Sequence, residues 1–196
     1  MTHYNTIEQV GEASLKDRGS TFISYSFPLA NVESFKPIIQ KLKKEHPKAS
    51  HFCFAYKIGI DGNKFRSSDG GEPSGSAGKP ILGTIENKGL TDVLIVVVRY
   101  FGGSLLGVPG LINAYKSTAA MALQVIPIVR KPILFTVKLE FDYTNLNEVS
   151  TIIKRYNCKI ILQENILFSS YTIAIPLELK EEVLFKLQKL RNVSIS

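Results

Sequence analysis

The chain has 196 residues, of which 44% are hydrophobic and 21% are charged, values that are ordinary for a globular protein. The length permits one large domain or two small ones. The net charge of +7 favours an acidic partner such as RNA, DNA or the ribosome over a membrane, although a positive balance of this size also serves solubility alone. The longest apolar run is too short to span a bilayer.

The cysteines and the first residues set expectations about the compartment. Cys53 and Cys158 are far apart and lack CxxC spacing, so we expect no disulfide framework, no disulfide-linked partner and no zinc site. The N-terminal residues do not form a basic region followed by a hydrophobic stretch, so no signal peptide is predicted. The expected location is the cytoplasm.

The first two thirds of the chain predict alternating strands and helices. Ile23, Tyr25 and Phe27 alternate along one face of a half-buried strand. The last predicted helix is rich in alanine, so we expect it to pack very closely on the sheet. The predicted elements are a strand over 21–29, a helix from about 34 to 46, a strand over 51–58, a helix over 80–87, a buried strand over 93–98 and a helix from 109 to about 124.

A break at 127–132 separates this pattern from a second one. Beyond the break the order is strand, helix, strand, strand, helix, strand, which is typical of a ferredoxin-like unit. The fold class predicted is therefore α+β in two domains, residues 1–128 and 132–196. The strands of the second domain are expected at 135–143, 158–162, 171–177 and 193–195.

Two glycine-rich segments interrupt the first domain. The first glycine loop (67–80) reads SSDGGEPSGSAGKP, and the second glycine loop (99–107) reads RYFGGSLLG directly after the apolar strand. Glycine at this density is typical of a main chain that takes positive φ or approaches another group closely. A loop that leaves a buried strand and enters a helix points N–H groups outward. We therefore expect both loops to converge beside Arg99 as a cradle for an anion.

Several catalytic motifs fit these loops only in part. A nucleotide-hydrolysing P-loop needs glycine where Pro73 stands and serine or threonine where Pro80 stands. Ser76 and Lys79 match the S-x-x-K of penicillin-binding enzymes, but no S-D-N or K-T-G follows. Ser76 and Ser104 both miss the G-x-S-x-G elbow, and three histidines leave little room for a triad.

Four side chains near the loops each allow two interpretations. His51 is either a partly buried residue at a strand end, or a general base or phosphate contact that, with Asp69 and Glu72, organises the loop or holds a metal ion. Asp69 and Glu72 either organise the loop by capping turns and the next helix, or hold a divalent cation together with substrate phosphates. Arg99 either binds phosphate or carboxylate, or pairs with one of these two acids and ties the loops together.

The residues expected to contact an anion or a nucleic acid lie in the loops or just beyond them. Each offers a cation, a hydroxyl or an unhindered backbone N–H. They are Ser76, Lys79, Arg99, Gly102, Gly103 and Lys116. We expect no cofactor and no resident metal.

Both loops strongly resemble those of the YigZ/IMPACT family, in its bacterial two-domain form. The resemblance covers about residues 8–125, with His51 and Ala55 at the positions of an H-x-x-x-A strand. The first loop contributes Phe65 to Asp69, Gly71-Glu72-Pro73, Ser76-Ala77-Gly78 and Pro80. The second contributes Val97 to Gly103, Leu106-Gly107, Gly110-Leu111 and Ala114-Tyr115.

This resemblance implies a first domain with the left-handed β-α-β fold of the second domain of the fifth small-subunit ribosomal protein. It implies a second domain similar to domain V of elongation factor G. Eukaryotic members of the family regulate translation by competing for the ribosome-associated activator of the amino-acid-starvation kinase. For bacterial members the pair of folds suggests RNA or ribosome binding.

Four positions depart from the family pattern. Gly70 stands in place of a second aspartate, which argues against a metal site built on an aspartate pair. Leu106, Pro109 and Asn113 replace a frequent lysine, a glycine and a frequent arginine, so two basic side chains are missing near the second glycine loop.

The leading hypothesis is a non-enzymatic protein that associates with RNA, the ribosome or a ribosome-associated protein and regulates translation. One alternative is a hydrolase-like enzyme acting on a small phosphorylated or peptide-like substrate through His51, Asp69, Glu72 and Arg99. Another is a protein-binding adaptor, which an exposed apolar patch would favour.

Overall fold

The computed structural model describes residues 1–165 and 169–196. Its contacts divide the chain into two compact units. The larger unit is Tyr4–Lys131, and the smaller one combines Met1–His3 with Pro132–Ser196. Within the described residues, every helix is too short or too polar to cross a membrane.

The larger unit is built on a five-stranded antiparallel sheet in the order β2-β3-β6-β4-β5. A two-stranded sheet pairs β1 with β7. In chain order, the elements are β1 (His3–Ile7), β2 (Gly11–Asp17), β3 (Ser20–Pro28), α1 (Phe35–Glu45), β4 (His51–Ile58), β5 (Lys64–Ser68), α2 (Gly78–Asn87), β6 (Val93–Tyr100), α3 (Gly107–Gln124) and β7 (Ile128–Pro132).

The central strand β6 is covered on both faces, which explains its unbroken apolar sequence. Val93, Ile95 and Val97 pack in one cluster with residues of α2 and α3. The alternate residues of β6, together with Leu42 of α1, belong to a second cluster on the other face. The buried strand predicted at 93–98 is confirmed and continues to Tyr100.

On β3, the face opposite to the expected one is the more deeply buried. Tyr25 and Phe27 are half-buried, whereas the serines on the other face are fully buried. Small residues are needed there because α3 lies close: the Ser26 hydroxyl donates to the carbonyl of Ala122 at 3.2 Å, and a Cβ on Gly11 would overlap that carbonyl. The close packing predicted for the alanine-rich helix is therefore present.

The sequence pattern did not predict four of these strands. β2 and β5 form the two edges of the five-stranded sheet, and β1 and β7 form a separate two-stranded sheet. Edge strands bury less of their surface, so their sequences need little apolar alternation. The expected break at 127–132 is in fact largely occupied by β7.

The smaller unit has the strand and helix order that the sequence predicts. Its antiparallel sheet has the order β11-β8-β10-β9, and its apolar cluster combines residues of β8 and β10 with Val149, Ile153, Val183 and Leu187 of the two helices. The elements are β8 (Leu134–Phe141), α4 (Leu146–Arg155), β9 (Lys159–Asn165), β10 (Ser169–Pro176), α5 (Lys180–Gln188) and β11 (Val193–Ile195).

Candidate functional site

The register of three neighbouring strands brings the candidate residues together. Arg99 of β6 lies opposite Phe22 of β3 on one side and opposite His51 of β4 on the other. The first glycine loop follows β5, and the second begins at the end of β6, so both loops leave the sheet near these positions.

A buried ion pair joins the two glycine loops. Nη1 of Arg99 donates to Oε1 of Glu72 at 2.6 Å, and the two side chains are only 5% and 4% exposed. Of the two interpretations of Arg99, the structure therefore shows the one in which it ties the loops together. Its Nη2 donates to the Ser20 hydroxyl at 3.2 Å, and its guanidinium lies between the rings of Phe22 and Phe101, with Cζ 5.2 and 5.4 Å from their centroids.

Glu72 accepts a second hydrogen bond from the interior. The Tyr115 hydroxyl donates to the same Oε1 at 2.7 Å. Burial and the electrostatic effect of neighbouring Cys53, together with the bond to Glu72, raise the pKa of Tyr115 far above its usual range. Burial also raises the pKa of Cys53 to about 12, so this thiol stays protonated and unreactive at neutral pH. Glu72 thus accepts hydrogen bonds from both β6 and α3 and has a structural role.

Asp69 organises the first glycine loop and the start of α2. Its carboxylate accepts backbone hydrogen bonds from Gly75, Ala77 and Gly78 at 2.9, 3.0 and 2.8 Å. Burial alone would raise the pKa of Asp69, but these three N–H donors outweigh that effect and hold the pKa below its usual value. The anion at the N-terminus of α2 is therefore the protein's own carboxylate, which corrects the expectation that these N–H groups point outward to a ligand.

Two of the expected anion contacts are engaged within the chain. The Ser76 hydroxyl is buried and donates to the carbonyl of Pro73 at 2.6 Å. The N–H of Gly102 donates to the Ser20 hydroxyl at 3.2 Å, and a Cβ on Gly102 would overlap the backbone of Gly19. Gly102 is therefore required for the close packing of two turns.

Three other expected contacts are exposed, whereas Arg99 is buried in its ion pair with Glu72. Lys79 lies in the first turn of α2 and Lys116 lies on α3. Gly103 is exposed and adopts φ of +87°, a left-handed conformation that favours glycine.

A pocket of about 300 Å³ lies between the loops. Its polar base consists of His51, Glu72 and Arg99, and its remaining lining is mostly apolar. Lys79 and Lys116 lie outside this lining. The other lining residues are Pro73, Phe101, Leu105, Leu106, Gly107, Val108 and Leu111.

His51 has a defined orientation in the pocket. Its Nδ1 lies 3.1 Å from the carbonyl oxygen of Gly70, which can only accept, so Nδ1 carries a hydrogen. Its Nε2 lies 3.9 Å from Oε1 of Glu72, beyond hydrogen-bond distance. In the neutral ring Nε2 therefore has a lone pair at the pocket base and can accept a proton. Within the described residues, no group of three or more His, Cys, Asp or Glu side chains is placed to hold a metal ion.

Sequence reasoning missed the inner layer of the site. Phe22 packs edge-on against Tyr115, with ring centroids 5.2 Å apart, and Ser20 supports both Arg99 and Gly102. No local pattern marks Phe22 or Ser20, because their role depends on pairing with β6, far away in the sequence. Tyr115 was identified only through the family resemblance.

Comparison with known proteins agrees with that resemblance. The Impact N-terminal domain matches residues 18–123. IMPACT family member YvyE of Bacillus subtilis (strain 168) is 34% identical over 171 residues, which cover 86% of this chain and 79% of that protein. IMPACT family member YigZ of Escherichia coli (strain K12) is 35% identical over 159 residues, covering 80% and 78%.

A solved structure shows that the similarity extends beyond the matched domain. A crystal structure of a hypothetical protein, 30% identical, covers all of this chain and 97% of its own, with a TM-score of 0.79. The chain therefore belongs to the IMPACT family.

Proposed function

We propose that this protein acts in translation as a non-enzymatic RNA- or ribosome-associated protein of the cytoplasm, and that the pocket between its glycine loops receives an unpaired nucleotide. Membership of the IMPACT family supports the link to translation, because the family resemblance includes eukaryotic regulators of that process. The main support for the proposal is the ring of Phe101, which is half-exposed and lines a pocket that also contains Arg99.

Phe101 provides the stacking surface. Its ring is 48% exposed and lines the pocket, while the buried Arg99 guanidinium lies 5.4 Å from its centroid. The arginine fixes the ring without leaving its ion pair with Glu72. An aromatic ring presented in this way stacks on any unpaired base, which contributes about 1–3 kcal/mol per base.

The beginning of α3 provides a place for the phosphate beside that base. Gly107 and Val108, in its first turn, line the pocket. Leu106, which precedes the helix, has an apolar side chain that cannot cap it, and the first turn has no acidic residue. The positive end of this 18-residue helix is therefore open to a ligand anion, in contrast to that of α2, which Asp69 occupies.

The overall charge acts at longer range. The net charge of +7 attracts a polyanion, and the exposed side chains of Lys79 and Lys116 are available to backbone phosphates of the bound RNA. Because such contacts release counterions, affinity is expected to fall steeply with salt.

Fluorescence anisotropy with labelled single-stranded RNA tests the proposal. We expect binding at about 50 mM salt that weakens strongly by about 200 mM. Phe101→Ala should weaken binding about tenfold, since it removes one stacked base. Lys116→Ala should reduce the slope of log affinity against log salt by about 1.

Phe65→Ala is the matched control, because Phe65 on β5 is 56% exposed, a value close to that of Phe101, but lies outside the pocket lining. It should leave RNA affinity unchanged. Absence of binding at low salt, or equal losses in Phe101→Ala and Phe65→Ala, would contradict the proposal.

A protein-binding adaptor is the second candidate, and a specific observation favours it. Leu105, Val108 and Ile112 are all exposed apolar side chains at the start of α3, with Leu105 84% exposed. Binding to purified ribosomes but not to protein-free ribosomal RNA, abolished by Leu105→Asp and unaffected by Phe101→Ala, would replace the RNA proposal with this one.

For the enzyme alternative, His51 is suitably placed for catalysis but Arg99 is not. Nε2 of His51 can accept a proton in the pocket, but Arg99 is neutralised by Glu72 and buried. Both acids predicted to assist are hydrogen-bonded as structural acceptors. We therefore propose no reaction.

A further inference from the structure

The edge strand β9 of the smaller unit exposes an uninterrupted apolar run. Ile160, Ile161 and Leu162 are 47%, 59% and 53% exposed, and within the described residues β9 pairs with one neighbour, β10, in the sheet. Proteins usually protect such an edge with a central charge or a proline, because its unpaired N–H and C=O groups can accept another strand. β9 has charges only towards its ends, at Lys159 and Glu164.

We propose that β9 is the contact strand of a symmetric dimer, in which it pairs antiparallel with β9 of a second copy of this chain. With the two-fold axis between Ile161 and Leu162, Lys159 of each copy faces Glu164 of the other. Ile160 of each copy then faces Gln163 of the other, and Ile161 of each copy faces Leu162 of the other. The second copy is the occupant favoured by this arrangement because the strand is complementary to itself in charge.

The β-bulge in β9 makes this register possible. Residues paired across an antiparallel sheet must point to the same face, and in a regular strand residues five apart point to opposite faces. Here the register shifts between Thr172 and Ile173 of β10, so that Leu162 pairs with the first and Ile160 with the second. Ile161 is the extra residue.

The face of each β9 residue follows from its partner on β10. Tyr171 and Ile173 point into the core, so Gln163 and Ile160, opposite them, lie on the core face. Lys159 and Glu164 pair with Ala174 and Ser170, which alternate with the core residues, and so both lie on the other face. A bulge often prevents edge pairing, but in β9 it brings the oppositely charged residues to the same face.

The expected dimer is weak. A six-residue strand pair buries less surface than a standard stable interface, so association should appear only at high protein concentration. Sedimentation equilibrium of the full-length chain over a wide concentration range measures it directly. The wild type should move from monomer towards dimer as concentration rises.

Charge reversal tests the register itself. Lys159→Glu alone and Glu164→Lys alone place like charges opposite each other at both ends of the strand pair, and each should weaken the dimer roughly tenfold. The double variant Lys159→Glu/Glu164→Lys restores opposite charges and should recover the wild-type affinity. Ile161→Lys should abolish association, whereas Phe185→Lys, at an exposed position on α5, should not change it.

Circular dichroism confirms that each variant is folded. A protein that remains monomeric at every concentration overturns the proposal. So does a dimer that withstands both single reversals, or one that the double reversal fails to restore, because either result places the contact elsewhere.

Discussion

At the scale of single residues, the site depends on an arginine whose charge is neutralised inside the protein. Arg99 was expected either to bind an anion or to tie the loops together, and its 2.6 Å contact with the equally buried Glu72 shows the second role. In the proposed RNA complex, Arg99 therefore acts indirectly, through its contact with the ring of Phe101.

Glu72→Ala should destabilise the protein by about 3–5 kcal/mol, because it leaves the Arg99 charge buried without its carboxylate. Glu86→Ala is the control. Glu86 is half-exposed and lies 4.0 Å from Lys57, so its loss should cost less than about 1 kcal/mol. Urea denaturation of both variants measures the difference, and equal losses would show that the buried pair is unimportant.

Gly102→Ala should also be strongly destabilising, by about 1–3 kcal/mol or more, because the added methyl group would overlap the backbone of Gly19. Gly83→Ala provides the contrast within the same unit. A Cβ at Gly83 of α2 meets no atom within 4 Å, and alanine favours a helix, so this variant should gain about 0.5–1 kcal/mol. Thermal melts that rank the two variants in the opposite order would contradict the packing described for the second loop.

At the scale of elements, the two helices that follow the glycine loops differ at their N-termini. The start of α2 is occupied by the carboxylate of Asp69, which reaches it from eight or nine residues earlier in the chain. The start of α3 has neither an apparent side-chain cap nor an acidic first turn in the described structure. The N–H groups at the start of α2 are therefore occupied by Asp69, whereas the start of α3 has no side-chain cap hydrogen bond in the described structure, although both loops are rich in glycine.

The role of Asp69 predicts a characteristic pH dependence. Because the folded-state pKa of Asp69 is lowered, its contribution to stability is complete above the unfolded-state pKa of about 4 and is lost as pH falls through the lower folded value. Asp69→Asn should therefore cost about 1–3 kcal/mol at pH 7, and the gap to wild type should narrow below pH 4.

Urea denaturation at several pH values checks this expectation, with Asp61→Asn as control. Asp61 lies in an exposed turn, so its loss should stay within about 0.5 kcal/mol. A gap for Asp69→Asn that stays constant with pH would mean that its charge is not what stabilises the loop.

At the scale of the whole molecule, the sequence predicted those parts of the fold whose patterns are local. The apolar run of β6, the alanine-rich α3 and the strand and helix order of the smaller unit are of this kind. The edge strands β2 and β5 were missed because they need little apolar patterning. The sequence also did not predict which face of β3 is the more deeply buried, because that depends on how closely α3 packs against the strand.

In the candidate site, too, the features with a local sequence pattern were predicted and those that depend on distant residues were not. The glycine content of the sequence identified both loops. It could not show that Asp69 and Ser20 accept hydrogen bonds from loop N–H groups, because these partners lie several to many residues away in the chain. The pocket and its half-exposed aromatic ring depend on strand register, which no sequence window contains.

If RNA binds where the two glycine loops meet, its bases should crosslink to residues of that site. Ultraviolet crosslinking of the full-length protein to single-stranded RNA carrying 4-thiouridine, followed by mass spectrometry of the crosslinked peptides, tests it most directly. We expect a dominant crosslink within residues 99–108, centred on Phe101 and lost in Phe101→Ala. Crosslinks confined to other surfaces, or none at low salt, would contradict it.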